Sequence, residues 1–330
     1  MKENSSPLLF ESGEHFYQAL LSRLSQASEV ISMSYLAFVS GRWGNSLAEV
    51  MMDKAKSGVK VELTIDYFGN FFEQIPQFFA NQKLYRQMRE AGIVVNCLPL
   101  SLSRGPMHDK FCMIDHQYVA FGGSNVADHY TEWADTNFIL DDLNIDPNLW
   151  PSMYENLIAD HCRTDLTSSF SLDANHELYL HMPPDNKHFQ IQLLDLFHHS
   201  QRSLNLVTWY FAPNKEVMSA LHDTLQRGVQ VELMVSLRSR LWFYNLLNLP
   251  LLEQLKKHEN FHLRYWTKGY NHSKLYWNEQ AAILGSANLD FASLERSREL
   301  LVVSRDSHLI EQLNQRFTKF QTLNTDSSTS

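Results

Sequence analysis

Two stretches of the 330-residue chain carry the same three polar side chains in the same order. The first reads Met107-His108-Asp109-Lys110-Phe111-Cys112-Met113-Ile114-Asp115 and is followed by Gly122-Gly123-Ser124-Asn125. The second reads Asn271-His272-Ser273-Lys274-Leu275-Tyr276-Trp277-Asn278-Glu279 and is followed by Gly285-Ser286-Ala287-Asn288. Each set offers an imidazole, an ammonium and a carboxamide; two sets facing each other offer two of each. That combination suits a phosphodiester. Lys110, Lys274, Asn125 and Asn288 can hold the non-bridging oxygens, which gain charge as phosphorus becomes pentacoordinate. One histidine can attack phosphorus and carry it as a phosphohistidine, while the other protonates the leaving alkoxide and then deprotonates the incoming alcohol or water. No metal or cofactor is called for, because the lysines supply the positive charge. The residues by themselves allow either histidine to be the nucleophile.

These side chains need strands to aim them. In extended chain, alternate side chains share a face, so His108 and Lys110 project together, as do His272 and Lys274. Further upstream the chain repeats itself. Gly58-Val59-Lys60-Val61-Glu62-Leu63 returns as Gly228-Val229-Gln230-Val231-Glu232-Leu233. Each glycine closes a helical stretch, 46–56 or 215–227, and opens an alternating strand; glycine suits the left-handed cap between them. Apolar strands are expected at 30–38 and 203–211, preceded by amphipathic helices at 15–26 and 189–199. The order helix, strand, helix, strand, loop, motif therefore occurs twice. It predicts two units, 1–165 and 166–330, of α/β class with parallel or mixed sheets.

Composition narrows the function classes. The formal net charge of −9 argues against a protein whose task is to hold nucleic-acid backbone, so no nucleic-acid partner is expected. The three cysteines, Cys97, Cys112 and Cys162, are odd in number and lack C-x-x-C spacing. They read as reduced thiols of a cytoplasmic protein. No run of about 18 apolar residues is present, so membrane contact is expected to be peripheral, at the inner membrane face.

The paired motifs resemble the HxKxxxxD signature of the phospholipase D superfamily, over about residues 8–322. Within it the chain is most similar to bacterial cardiolipin synthases. Gly-Gly-Ser-Asn follows the first motif, Gly285-Ser286-Ala287-Asn288-Leu289-Asp290 and then Ser293 follow the second, and Trp209-Tyr210-Phe211-Ala212-Pro213 opens the second half. The resemblance implies a duplicated sandwich, two mixed β-sheets flanked by helices about a pseudo-twofold axis, with the motifs meeting at the seam. It implies phosphatidyl transfer or hydrolysis at a glycerophospholipid, with His108 as nucleophile and His272 as general acid and base. It also implies that an acidic residue downstream of each Asn orients the histidine of its own motif: Asp135 for His108 and Glu299 for His272. The motif carboxylates Asp115 and Glu279, the latter replacing the usual Asp, read as structural groups at strand ends.

Two aromatic stretches follow the repeated strands in equivalent places: one containing Phe71 and Phe72, the other Trp242 and Phe243. There they would form a rim for acyl chains or the bilayer interface, or else short helices packed into the core. Two competing functions share these residues: a nuclease or other phosphodiesterase on the same scaffold, and a non-catalytic lipid-binding adaptor.

Overall fold

The computed structural model describes residues 7–73, 75–99, 105–158, 167–238 and 243–325. The first half runs β1 (Leu8–Phe10), α1 (Gly13–Gln26), β2 (Val30–Tyr35), α2 (Arg42–Lys56), β3 (Lys60–Asp66), α3 (Tyr67–Glu73), α4 (Phe78–Glu90), β4 (Val94–Leu98), β5 (Lys110–Ile114), β6 (Tyr118–Gly122), β7 (Asn137–Leu140) and α5 (Leu149–Ile158). The second runs β8 (Ser169–Ser171), β9 (His176–His181), α6 (His188–His199), β10 (Ser203–Thr208), β11 (Phe211–Ala212), α7 (Lys215–Gln226), β12 (Gln230–Ser236), α8 (Phe243–Leu255), β13 (Phe261–Trp266), β14 (Leu275–Asn278), β15 (Ala282–Gly285), β16 (Leu289–Asp290), α9 (Phe291–Glu295), β17 (Glu299–Ser304) and α10 (Ser307–Thr325).

Two mixed sheets result, and their strand orders match. One is β4-β3-β2-β5-β6-β7-β1; the other is β13-β12-β10-β14-β15-β17-β9-β8. In both, the strand before the repeated glycine pairs in parallel with the strand after it, Val30 opposite Lys60 and Ser203 opposite Gln230. In both, the motif strand joins antiparallel to the first of these. Gly58 and Gly228 take φ of 95° and 85°, the left-handed conformation that ends α2 and α7 without a Cβ penalty.

The expected strands at 30–38 and 203–211 are both shorter. β2 stops at Tyr35 because the chain then turns to bond other loops: Leu36 N donates to Asp109 O and Val39 N to Val126 O. β10 stops at Thr208, whose hydroxyl donates to Tyr210 O and accepts from Leu289 N. The chain resumes as β11, paired with β16.

Alternation along the motif strands divides the apolar side chains between layers. Cys112 and Ile114 pack under α1 and α2, while Phe111 and Met113 face a central core. That core is shared. It joins Phe121 and Phe138 of the first sheet to Leu180, Leu275, Trp277 and Val302 of the second, and is bordered by Trp150 of α5 and Phe317 of α10. The order of layers is thus helices, sheet, core, sheet, helices. No helix of the described residues is long and apolar enough to cross a membrane.

Candidate active site

The two halves meet through backbone as well as side chains. Met107 forms a parallel bridge with Arg298, and Ala134 with Asn271. His108 N donates to Arg298 O at 2.8 Å, and His272 N donates to Ala134 O at 2.7 Å. Each motif is therefore stitched to the segment that carries the other half's carboxylate.

This corrects the expected pairing of acids and histidines. Glu299 does not orient His272; its Oε2 lies 2.9 Å from His108 Nδ1. Asp135 does not orient His108; its Oδ2 lies 2.9 Å from His272 Nδ1. The physical reason is the seam bridging: the segments entering β7 and β17 run beside the opposite motif, so each carboxylate reaches across. The carboxylates fix both Nδ1 atoms as donors and leave both Nε2 atoms for a substrate.

The carboxylates are themselves held. Glu299 accepts hydrogen bonds from Ser286 Oγ and, at 2.7 Å, from Ser293 Oγ. Asp135 accepts from Ser124 Oγ at 3.1 Å and from Thr136 N at 2.7 Å. Sequence reasoning gave Ser124 and Ser286 no part in this. The signal was present, because a serine follows glycine in both turns before Asn125 and Asn288. The turn glycines make room for the same segments. A Cβ on Gly122 would lie 2.6 Å from Thr136 O, and one on Gly285 would lie 2.3 Å from Leu300 O. They admit the strands bearing the carboxylates.

Lys110 and Lys274 are almost fully buried, and each ammonium donates to the carbonyl of its own histidine, Lys110 to His108 O at 2.6 Å and Lys274 to His272 O. Burial pushes the Lys110 ammonium down to about 8 and the Lys274 ammonium to about 7. Burial, reinforced by Lys274, pushes His272 to about 3, and burial likewise lowers His108. Lys274 also acts on His108, and Lys110 on His272, so the charges of both halves are felt in one site. For both carboxylates, burial works upward. The partner histidine and lysine outweigh it and hold Asp135 and Glu299 below the usual range.

The two imidazoles are not equivalent. The His108 side chain keeps 18% of its exposure and that of His272 only 4%. His272 is walled by rings: Trp209 at 4.4 Å, Tyr130 at 5.4 Å and Trp133 at 5.7 Å between centroids. The carboxamides differ too. Asn125 donates from Nδ2 to Tyr130 OH at 2.7 Å and accepts at Oδ1 from Ala37 N at 3.3 Å. Asn288 Oδ1 is buried without a hydrogen-bond partner among the described residues.

Asp115 and Glu279 lie at the other end of the motif strands. Asp115 accepts from the backbone N–H groups of Ser28, Glu29 and Val30 at 2.7, 2.8 and 2.9 Å. Glu279 accepts from Gln201, Arg202 and Ser203 in the equivalent loop. Both fasten the entry of the central strand. Asp115→Ala is expected to lower unfolding stability by about 2 kcal/mol in urea titrations while leaving kcat unchanged.

Of the aromatic rim, Phe72 is 52% exposed and Phe71 half-buried on α3. Trp242 and Cys162 lie outside the described residues, as does the Phe243 side chain. Gly105 is described, and its φ of 64° brings the chain against Arg296 O at the seam.

The duplicated sandwich and its crossed His–carboxylate pairs define a two-motif α/β protein. A family profile described as "Cardiolipin synthase, PLD-like domain" matches residues 20–149 and 193–321. The chain belongs to this family. It is 23% identical to a probable cardiolipin synthase of Bacillus subtilis, over 94% of this chain and 64% of that protein. It is also 23% identical to cardiolipin synthase 1 of Staphylococcus epidermidis, over 97% of this chain and 68% of the relative. The fold is similar to that of the phosphatidylserine synthase of Haemophilus influenzae, with TM-score 0.73 and 16% identity over 97% of this chain and 87% of the other. The polyphosphate kinase of Porphyromonas gingivalis is similar in fold at TM-score 0.65 and 14% identity, over 94% of this chain and 46% of that one.

Proposed function

We propose that the chain catalyses phosphatidyl transfer or hydrolysis at a glycerophospholipid phosphodiester, in the manner of a cardiolipin synthase, through a phosphohistidine. The proposal assigns the two catalytic units to 1–165 and 166–330. The observation that carries it is the crossed pair of carboxylate-held imidazoles, each with its Nε2 unclaimed among the described residues, beside two buried lysines.

His108, the more open ring, attacks phosphorus through Nε2. The P–O bond to the leaving alkoxide breaks, and His272 supplies the alkoxide with a proton. His272 is neutral in the empty site because of burial and the two lysines. A phosphodiester anion against Lys110 and Lys274 offsets that repulsion, so substrate entry favours the imidazolium that the step requires. The neutral His272 then takes the proton of the incoming alcohol as its oxygen attacks the phosphohistidine and His108 departs. Asn288, with its unpartnered Oδ1, and Asn125 border the phosphate. The protein works at a membrane surface, peripherally, because its substrate resides there.

Incubation with phosphatidylglycerol vesicles, with and without a primary alcohol, tests this by mass spectrometry of the lipids. Cardiolipin or phosphatidyl-alcohol formation at rates abolished by His108→Ala is expected. Intact lipid alongside cleavage of single- or double-stranded DNA would transfer the same chemistry to a nuclease. Lipid binding without turnover would leave an adaptor.

A further inference from the structure

The short helix α3 sits at the carboxyl end of β3 and turns apolar side chains outward. Tyr67, Phe68 and Phe72 are 45%, 41% and 52% exposed, and the following Ile75 and Phe79 are 55% and 83% exposed. The rings form one surface: Phe68 and Phe72 are 4.4 Å apart, Phe71 and Phe72 5.1 Å, Phe71 and Phe78 5.4 Å, and Phe78 and Phe79 5.6 Å. From Tyr67 to Gln82 the sequence holds one charged side chain, Glu73, and it is buried. Along α4, Phe79 is followed at helical spacing by the exposed Lys83 and Arg86, the latter 4.0 Å from Glu90 in a solvent-open pair. A large aromatic cap next to exposed cations locally complements an anionic lipid surface, against the overall net charge of −9.

The same helix is wired into the active site at both ends. At its start, Asp66 accepts from Gly69 N at 2.6 Å and from Met107 N at 3.0 Å, and Met107 adjoins His108. At its end, Glu73 lies 2.9 Å from His129 Nε2. Glu73 also hydrogen-bonds the Tyr130 hydroxyl, which in turn accepts from Asn125 Nδ2 at 2.7 Å. The Tyr130 ring stands beside His272.

We infer that the aromatic face of α3 and the start of α4 dock on an anionic bilayer, and that Glu73 transmits the docking to Asn125 and Tyr130. This rests on the lipid reading above and names the surface through which lipid is approached. Glu73 is a positioning residue: it acts through Tyr130, not on substrate.

The test uses vesicles of digalactosyldiacylglycerol with or without phosphatidic acid, neither of which is a phosphodiester. Wild type is expected to co-sediment at least about tenfold more tightly with the anionic vesicles, and 0.5 M salt should reduce the difference. Phe72→Ser/Phe79→Ser should lose about tenfold in binding, with a melting temperature close to wild type reporting an intact fold. Hydrogen exchange reads the coupling without reference to turnover. Vesicles should change protection of residues 123–133 in wild type. In Glu73→Gln, binding should persist and that change should vanish, and Glu73→Asp should restore part of it. Undiminished binding by the double serine variant would overturn the docking surface. So would a wild-type dimer that this variant dissociates, which would assign the face to a second copy. An unaltered exchange response in Glu73→Gln would overturn the coupling. Failure of the lipid-turnover assay alone would remove the enzymatic reading and leave these results standing.

Discussion

On the proposed mechanism, His108→Ala is expected to abolish the phosphohistidine and lower kcat by at least about 10³, because the covalent route would be lost with its nucleophile. His272→Ala should fall by about 10²–10⁴, the usual worth of a positioned acid–base group. The two losses should not add, since either one stops the same sequence of steps. Acid-labile labelling by substrate phosphorus locates the attack. With a substrate whose leaving group needs no proton, His272→Ala should accumulate label on His108, because the second step lacks its base. Label on His272 in the His108→Ala protein would reverse the roles, and turnover near wild type in both variants would remove the mechanism.

The second large effect tests the exchange of carboxylates across the seam. Glu299→Gln should reproduce the phenotype of His108→Ala, and Asp135→Asn that of His272→Ala, each with a loss of about 10²–10⁴ in kcat. An amide in place of either acid can present its N–H to Nδ1 and select the wrong tautomer. Double-mutant cycles report the partnership directly. His108 should couple strongly to Glu299, within hydrogen-bond distance, and His272 to Asp135. The within-half pairs, His108 with Asp135 and His272 with Glu299, should couple less. Stronger within-half coupling would contradict the geometry.

Much of this arrangement was legible in the sequence because it is local. Gly58 and Gly228 mark helix ends, the alternating Val59-to-Ile65 run marks a strand, and the His-x-Lys spacing places two groups on one face. The duplicated strand order follows from duplicated local pattern. What the sequence hid is which half serves which. Asp135 lies near His108 along the chain and Glu299 near His272, so proximity in sequence favoured the wrong partners. Only the parallel bridges Met107–Arg298 and Ala134–Asn271 reverse that choice, and such bridges leave no periodic trace. The setting of Asn125 was hidden for a related reason: one N–H of its amide donates to the Tyr130 hydroxyl, which is fixed by a distant buried glutamate.

The shared central core sets the order in which competence can appear during synthesis. The first seven-stranded sheet is complete once Leu140 has been made, and its outer face can close under α1 and α2. Its inner face, with Phe111, Met113, Phe121 and Phe138, waits for a cover drawn from residues as late as Phe320. The acid that serves His108 is 191 residues downstream of it. A ribosome-bound or prematurely terminated chain therefore lacks the paired imidazoles and carboxylates and presents a sticky apolar sheet, which is a recipe for chaperone capture or proteolysis. The paired site exists only in a finished molecule.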